Sequence, residues 1–235
     1  MGVFRKHRPA AQPEVPAEAN PVPARGEFPT VLMRVGTSDP DVFMQIFGAL
    51  EYGPIPTTVA PGLIVDCGAN VGYASVSFLE RWPEAEVVAI EPDPANAALA
   101  RRNLAPYGAR AMLVEAGVWS RTTPLRIRRG AFGDGRQWSF QVEACPPGET
   151  PDVDGVGLAE VIGTRTVELL KVDIERGELE LFAGPCPWLD QVRNIVIELH
   201  DGDCTDVFHR ALARYEYDEF SAGELTFCCN LRRRG

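Results

Sequence analysis

Four side chains late in the 235-residue chain have the types and spacing needed to handle protons and charge: Asp173, Glu175, Glu198 and His200. Each pair follows a short apolar run, Leu169-Leu170-Lys171-Val172 in one case and Ile195-Val196-Ile197 in the other. Residues two apart on an extended strand share a face. If both runs are parallel strands of one open sheet, the four groups meet at its carboxyl edge, where such sheets bind ligands. The chemistry they suit is activation of a weak nucleophile such as a hydroxyl, which needs a partner for its proton. Two functional readings follow. In one, His200 or Asp173 is the general base and Glu198, with Glu175, orients the acceptor. In the other, Asp173, Glu198 and His200 hold a divalent cation such as magnesium, which lowers the acceptor's pKa. A purely structural reading pairs the same groups with Lys171, Arg176 or helix N-termini.

The elements that must position these groups begin with Leu63-Ile64-Val65-Asp66-Cys67-Gly68-Ala69-Asn70-Val71-Gly72, read as a buried strand, a glycine turn and a helix start. No Gly-Lys-Ser/Thr follows the strand, so a phosphate-cradling P-loop is excluded, and the three-glycine spacing of a dinucleotide fingerprint is missing. S-adenosylmethionine fits better because it has no phosphates. Asp66 is expected to accept from its ammonium group directly or through water, while the amides of Gly68, Ala69, Asn70 and Gly72 face its carboxylate. Glu91, 19 residues beyond Gly72 and followed by Pro92, ends the second strand, where an acid reaches ribose hydroxyls. Glu115 and Ala116, running on to Val118, are expected to form the adenine wall.

The remaining chain fits this frame. Residues 1–27 carry several prolines and alanines after a basic start and are expected to form a disordered tail. Residues 28–62 are expected to form an N-terminal cap: a strand from Thr30 to Val35, then a helix capped by Asp39 or Asp41 and carrying Val42, Phe43, Ile46, Phe47 and Leu50. This segment packs over either the ligand cleft, as a lid, or the sheet edge. From residue 63 onward, strand and helix patterns alternate, which predicts βαβ units and a parallel sheet. Between Pro124 and Val142 the period changes to two around Gly130 to Gly135, predicting a hairpin. Cys145 to Gly157 is rich in Pro, Gly and acids and reads as a mobile loop. Tyr52 and Trp138 are candidates for the acceptor wall, with simple packing the alternative for Trp138, and His209 reads as a helix-surface residue.

Composition narrows the partners. A net charge of −10 argues against nucleic acid. The six cysteines contain no CxxC pair and read as small buried residues in a reducing, cytoplasmic setting. No apolar run reaches membrane-spanning length, and the first residues lack a signal-type core.

Taken together, Val65-Asp66-Cys67-Gly68-Ala69-Asn70-Val71-Gly72, Ala89-Ile90-Glu91-Pro92, Leu170-Lys171-Val172-Asp173-Ile174-Glu175 with Glu178, and Ile197-Glu198-Leu199-His200 resemble the FkbM family of S-adenosylmethionine-dependent methyltransferases. The resemblance covers about Arg34 to Leu231. It implies an α/β, Rossmann-like class I methyltransferase fold over residues 63–235, with a mostly parallel seven-stranded sheet and helices on both faces. It also implies O-methylation of a small-molecule, sugar or natural-product hydroxyl. Arg176-Gly177 stands where the family has Gly-Ala, which places a bulky cation beside the site. The rivals are N-methylation of an amine or peptide and a cofactor-binding module without catalysis.

Overall fold

The computed structural model describes residues 19–22, 29–56, 58–129 and 140–235. Its centre is β3 (Leu63–Cys67), which is buried along its whole length. On one side β3 pairs in parallel with β4 (Glu86–Glu91), and β4 with β5 (Ala111–Glu115). On the other side it pairs in parallel with β10 (Leu169–Val172), and β10 with β11 (Ile195–Glu198). The antiparallel β13 (Leu225–Arg233) follows, then β12 (Tyr215–Ala222) at the edge. The sheet order is therefore β12-β13-β11-β10-β3-β4-β5. The chain runs outward from β3 to β5, then returns to β10 on β3's other flank. That reversal opens a crevice at the carboxyl ends of β3 and β10.

Strand alternation sorts the apolar side chains into two cores. Ile64, Val87, Ala89, Leu169 and Val196 face α2 (Tyr73–Arg81) and α3 (Pro94–Leu104). Val65, Cys67, Val88, Ile90, Leu170, Val172, Ile195 and Ile197 face the layer of α4 (Leu158–Ile162), α5 (Glu178–Ala183) and α6 (Gly202–Leu212). Burial on both faces explains why these strands read as continuous apolar runs. α3 starts where Pro94 follows Asp93, whose carboxylate accepts from the amides of Ala95 (2.9 Å) and Asn96 (3.1 Å).

The N-terminal segment lies over the cleft. β2 (Val31–Arg34) leads to α1 (Asp39–Phe43), which continues as a π-turn over Met44–Gly48. Neither acid caps α1 as expected. The N-cap is Ser38, and Asp39 instead accepts from the amide of Arg34 (2.8 Å) and from its guanidinium (2.9 and 2.8 Å). Arg34 also donates to Asn96 Oδ1 (2.8 Å), and Asn103 exchanges hydrogen bonds with the backbone of Leu32 (2.7 and 3.2 Å), so the segment is stitched to α3. Most of the expected tail lies outside the described residues. Within it, Ala19–Val22 forms β1, antiparallel to β2, because β2 offers an otherwise unpaired edge.

A second sheet is made of β6 (Gly117–Trp119), β7 (Thr123–Arg128), β8 (Gln141–Ala144) and β9 (Val153–Gly157), ordered β6-β9-β7-β8. The expected hairpin is present as β7 (Thr123–Arg128) against β8 (Gln141–Ala144); its turn and Trp138 lie outside the described residues. The expected mobile loop ends instead in a strand. β9 (Val153–Gly157) pairs in parallel with β6 (Gly117–Trp119) and antiparallel with β7. Its glycine is a packing feature: a Cβ on Gly155 would meet Leu125 Cδ1 at 2.8 Å, and one on the facing Gly117 at 2.5 Å. The bare backbones make room for Leu125, which is fully buried. All six cysteines are free, and four of them are buried. Among the described residues no helix is long and apolar enough to cross a membrane.

Candidate active site

A cleft of about 700 Å³ opens at the carboxyl ends of β3, β4, β10 and β11, within the roughly 300–1,000 Å³ of small-molecule sites. The glycine turn forms one wall. Gly68 (φ +78°), Asn70 (+51°) and Gly72 (+85°) are all left-handed, which folds the turn tightly before α2. A Cβ on Gly68 would lie 1.8 Å from the carbonyl oxygen of Asp173, so the turn rests directly on the end of β10. The Asn70 amide donates to Glu91 Oε2 (2.8 Å), and the Asp93 amide to Glu91 Oε1 (2.9 Å). Burial nevertheless pushes the Glu91 carboxyl up to about 7, against these hydrogen bonds. Ile90, Pro92, Val118, Phe140 and Val142 complete an apolar wall beside it.

Not every expected donor-side residue faces the cleft. Asp66 is fully buried beneath the turn, 3.2 Å from Lys171 Nζ and accepting from Ser75 Oγ (2.6 Å). Lys171 also donates to the carbonyls of Gly68 (2.7 Å) and Cys67 (3.3 Å). These two residues are register partners on β3 and β10, so their pair braces the turn from below. Ala116 is buried and donates its amide to the Glu91 carbonyl (3.1 Å). Glu115 points outward from the edge strand β5 and pairs with Arg101. Of the stretch from Glu115 to Val118 expected to form a wall, Val118 lines the cleft, joined by Phe140 and Val142 of the second sheet, whereas Glu115 and Ala116 do not.

The opposite wall carries the proton-handling groups, although not by the expected pleat. β10 ends at Val172, and Glu175 (φ +52°) and Arg176 (+71°) are left-handed. Such residues cost about 1–3 kcal/mol each and persist where surroundings hold them. Here Glu178, fully buried at the start of α5, accepts from the Ile174 amide (3.1 Å) and fixes the reversal. The reversal returns Glu175 to the cleft, with its carboxylate 3.4 Å from His200 Nε2. Glu198 lies 3.7 Å and Asp173 3.9 Å from the same nitrogen, while Glu178 stands 3.5 Å from Nδ1. Burial opposes protonation of His200, but Glu175, Glu178 and Asp173 overcome it and raise the imidazole to about 11. At neutral pH His200 is therefore a cation and not a free base. Burial, then Asp173, pushes Glu198 up to about 8, and Glu175 is raised mainly by burial.

The donor atoms that lie within 4.8 Å of one another belong to Asp173, Glu175 and His200. Glu175 thus replaces Glu198 in the set expected for a cation. Arg176 does not line the cleft; it pairs with Asp201, the N-cap of α6, at 2.9 Å. His209 is partly exposed and lies 3.0 Å from Glu219, away from the cleft. Tyr52 lines the cleft, joined by Val42, Gln45, Ile46 and Glu51 of the N-terminal segment and by Glu224 of the β12–β13 turn. The sequence offered no periodicity that would single out Gln45, Glu51 or Glu224.

A sheet ordered in this way, with a glycine turn and a strand-end acid at its crevice, defines a class I methyltransferase fold. The model of the Methyltransferase FkbM domain matches residues 66–220, and the chain belongs to that family. The 2-O-methyltransferase NoeI of Sinorhizobium fredii is 27% identical over 185 residues, covering 72% of this chain and 73% of that protein. Methyltransferase sdnD of Sordaria araneosa is 27% identical over 169 residues, covering 57% and 65%. The crystal structure of methyltransferase FkbM from Methylobacillus flagellatus superposes with a TM-score of 0.54 at 16% identity. It covers 79% of this chain, but the chain spans about half of that protein's length, 47%.

Proposed function

We propose that this methyltransferase moves the methyl group of S-adenosylmethionine to a hydroxyl oxygen of a small molecule, sugar or glycosylated metabolite. The donor side fits that cofactor. Asn70 Oδ1 is buried on the cleft wall and, among the described residues, has no hydrogen-bond partner. Glu91 stands at the end of β4, where ribose hydroxyls can donate to it, and the apolar wall from Ile90 to Val142 suits an adenine ring. When bound, S-adenosylmethionine supplies an electrophilic methyl carbon. The buried Asp66–Lys171 pair keeps the turn in shape, and its contact with the cofactor is indirect.

The observation that carries O-methylation is the convergence of Asp173 and Glu198 on the wall facing the donor turn, with cationic His200 between them. A hydroxyl must lose its proton as the new bond forms, and these carboxylates are placed to accept it. His200 stabilises their charge and stays protonated. The net charge of −10 suits an acceptor that is not a polyanion. The close set of Asp173, Glu175 and His200 supports a second route, in which a divalent cation lowers the acceptor's pKa.

Calorimetry with S-adenosylmethionine, followed by mass spectrometry of a metabolite mixture, tests the main reading. Glu91→Ala should weaken binding, and a methylated hydroxyl product should form. Absence of binding, or unchanged affinity in Glu91→Ala, would remove the donor assignment. Chelation separates the two routes: turnover that disappears with a chelator and returns with added magnesium selects the cation.

A further inference from the structure

The acceptor half of the cleft has an unbalanced charge. Five carboxyl groups line it, from four separate parts of the chain: Glu51, Asp173 with Glu175, Glu198 and Glu224. Glu198, pushed up to about 8, largely keeps its proton at neutral pH, and the other four set the charge. The two cations there, Lys171 and His200, also have fully buried partners outside the cleft. Lys171 lies 3.2 Å from Asp66, and His200 Nδ1 lies 3.5 Å from Glu178. What reaches inward is shared: Lys171 is 3.6 Å from Asp173, and His200 is 3.4 Å from Glu175. Glu51 has the neutral Gln45 amide on it (2.6 Å), and among the described residues neither Glu51 nor Glu224 forms an ion pair. The lining carboxylates are close enough to repel one another. Burial is the main force raising the Glu51 and Glu198 carboxyls; Asp173 and Glu224 add to it at both, while Lys171 lowers the first and His200 the second.

We infer that this half of the cleft selects an acceptor carrying an amine beside its hydroxyls, with Glu51 and Glu224 as the residues that read the positive charge. The inference rests on the cleft being the methyl-acceptor site proposed above. Carboxylates accept hydrogen bonds and donate none when ionised. A neutral polyol therefore meets their hydrogen-bonding needs but leaves their charge unmatched. A phosphate or carboxylate on the acceptor would add to the repulsion, because like charges brought together at an interface are costly. An ammonium group answers both needs. A divalent cation on Asp173, Glu175 and His200 would still leave Glu51 and Glu224 unmatched, so these two residues are the ones to change.

The test uses the full chain, with and without S-adenosylhomocysteine, and three probes in calorimetry: kanamycin (aminated), maltotriose (neutral) and trigalacturonate (anionic). Kanamycin should bind about tenfold or more tighter than maltotriose, and trigalacturonate most weakly. The double variant E51Q/E224Q should erase the kanamycin preference while leaving S-adenosylhomocysteine affinity unchanged. The exposed acids Glu84 and Glu86, at the far end of β4, supply a control variant, E84Q/E86Q, that should keep the preference. Kanamycin binding no tighter than maltotriose, or not at all, overturns the inference. So does a preference that survives E51Q/E224Q or falls equally in the control. Failure of S-adenosylhomocysteine to bind would instead sink the donor assignment, and the probe order in the free protein is read independently of it.

Discussion

Replacing Gly68 by alanine should damage both stability and turnover, for reasons that separate cleanly. At φ +78° any side chain carries a left-handed penalty of about 1–2 kcal/mol. The new Cβ would also sit 1.8 Å from the Asp173 carbonyl oxygen, whereas such contacts essentially never fall below 3.0 Å. The turn or the end of β10 must therefore retreat by more than 1 Å, and forced repacking of this kind costs about 1–3 kcal/mol. The combined loss is about 2–5 kcal/mol, or roughly 4–20 °C in Tm for a chain of this size. Gly148 is the control: its φ is +88°, but a Cβ there meets nothing within 4 Å. Gly148→Ala should cost only the backbone component, about 1–2 kcal/mol. Because the clash falls on Asp173, Gly68→Ala should also lower kcat, and a 1 Å misplacement is worth about 100-fold. Denaturant melts of both variants, with kcat measured on the folded fraction, test this. Equal destabilisation of the two variants, with kcat intact in Gly68→Ala, would refute the claim that the donor turn and the acceptor strand are in contact.

Four further outcomes follow from the buried and half-buried charges. Lys171→Met leaves Asp66 as an uncompensated buried charge and should cost about 3–5 kcal/mol in denaturant unfolding. Glu91 has a folded-state pKa of about 7, above its unfolded value, so it favours folding while protonated. That contribution is complete below the unfolded carboxylate range and is lost as pH rises through about 7, worth up to about 3 kcal/mol. Glu91→Gln should flatten this part of the stability–pH curve for the ligand-free protein, and an unaltered curve would count against the assignment. If Glu198 accepts the acceptor's proton, kcat/KM should rise with pH through about 8, because the base must be ionised, and Glu198→Gln should abolish that limb. His200→Ala should lower kcat more than it weakens cofactor binding, and neither profile should show a limb near the ordinary histidine pKa.

Much of this architecture was legible in the sequence, because buried parallel strands read as apolar runs and Asp93-Pro94 announces a helix start. The donor turn was legible for a similar reason: its glycines and Asn70 occupy left-handed positions that restrict residue choice. What escaped depended on partners distant in the chain. Asp66 could not be seen as Lys171's partner, because the register of β3 on β10 brings together residues 105 positions apart. Glu91 and Glu115 are register neighbours, but β5 is an edge strand, so Glu115 turns outward to Arg101. Glu175 reaches the cleft through a left-handed reversal and not through strand pleat, so even spacing pointed to the right residue for the wrong reason. β9 was obscured because the glycine that admits Leu125 also reads as a loop former.

The stretch matched by the family, residues 66–220, contains the glycine turn, Glu91 and the whole Asp173–His200 cluster. Glu51, within the segment from Val42 to Tyr52 that roofs the cleft, precedes it, and Glu224 follows it. In the function proposed above, the shared stretch carries the reacting groups, while the flanks add Glu51, Glu224 and the roof over the entrance. A chimera carrying this chain's flanks on another family member's central stretch should inherit this chain's choice of acceptor.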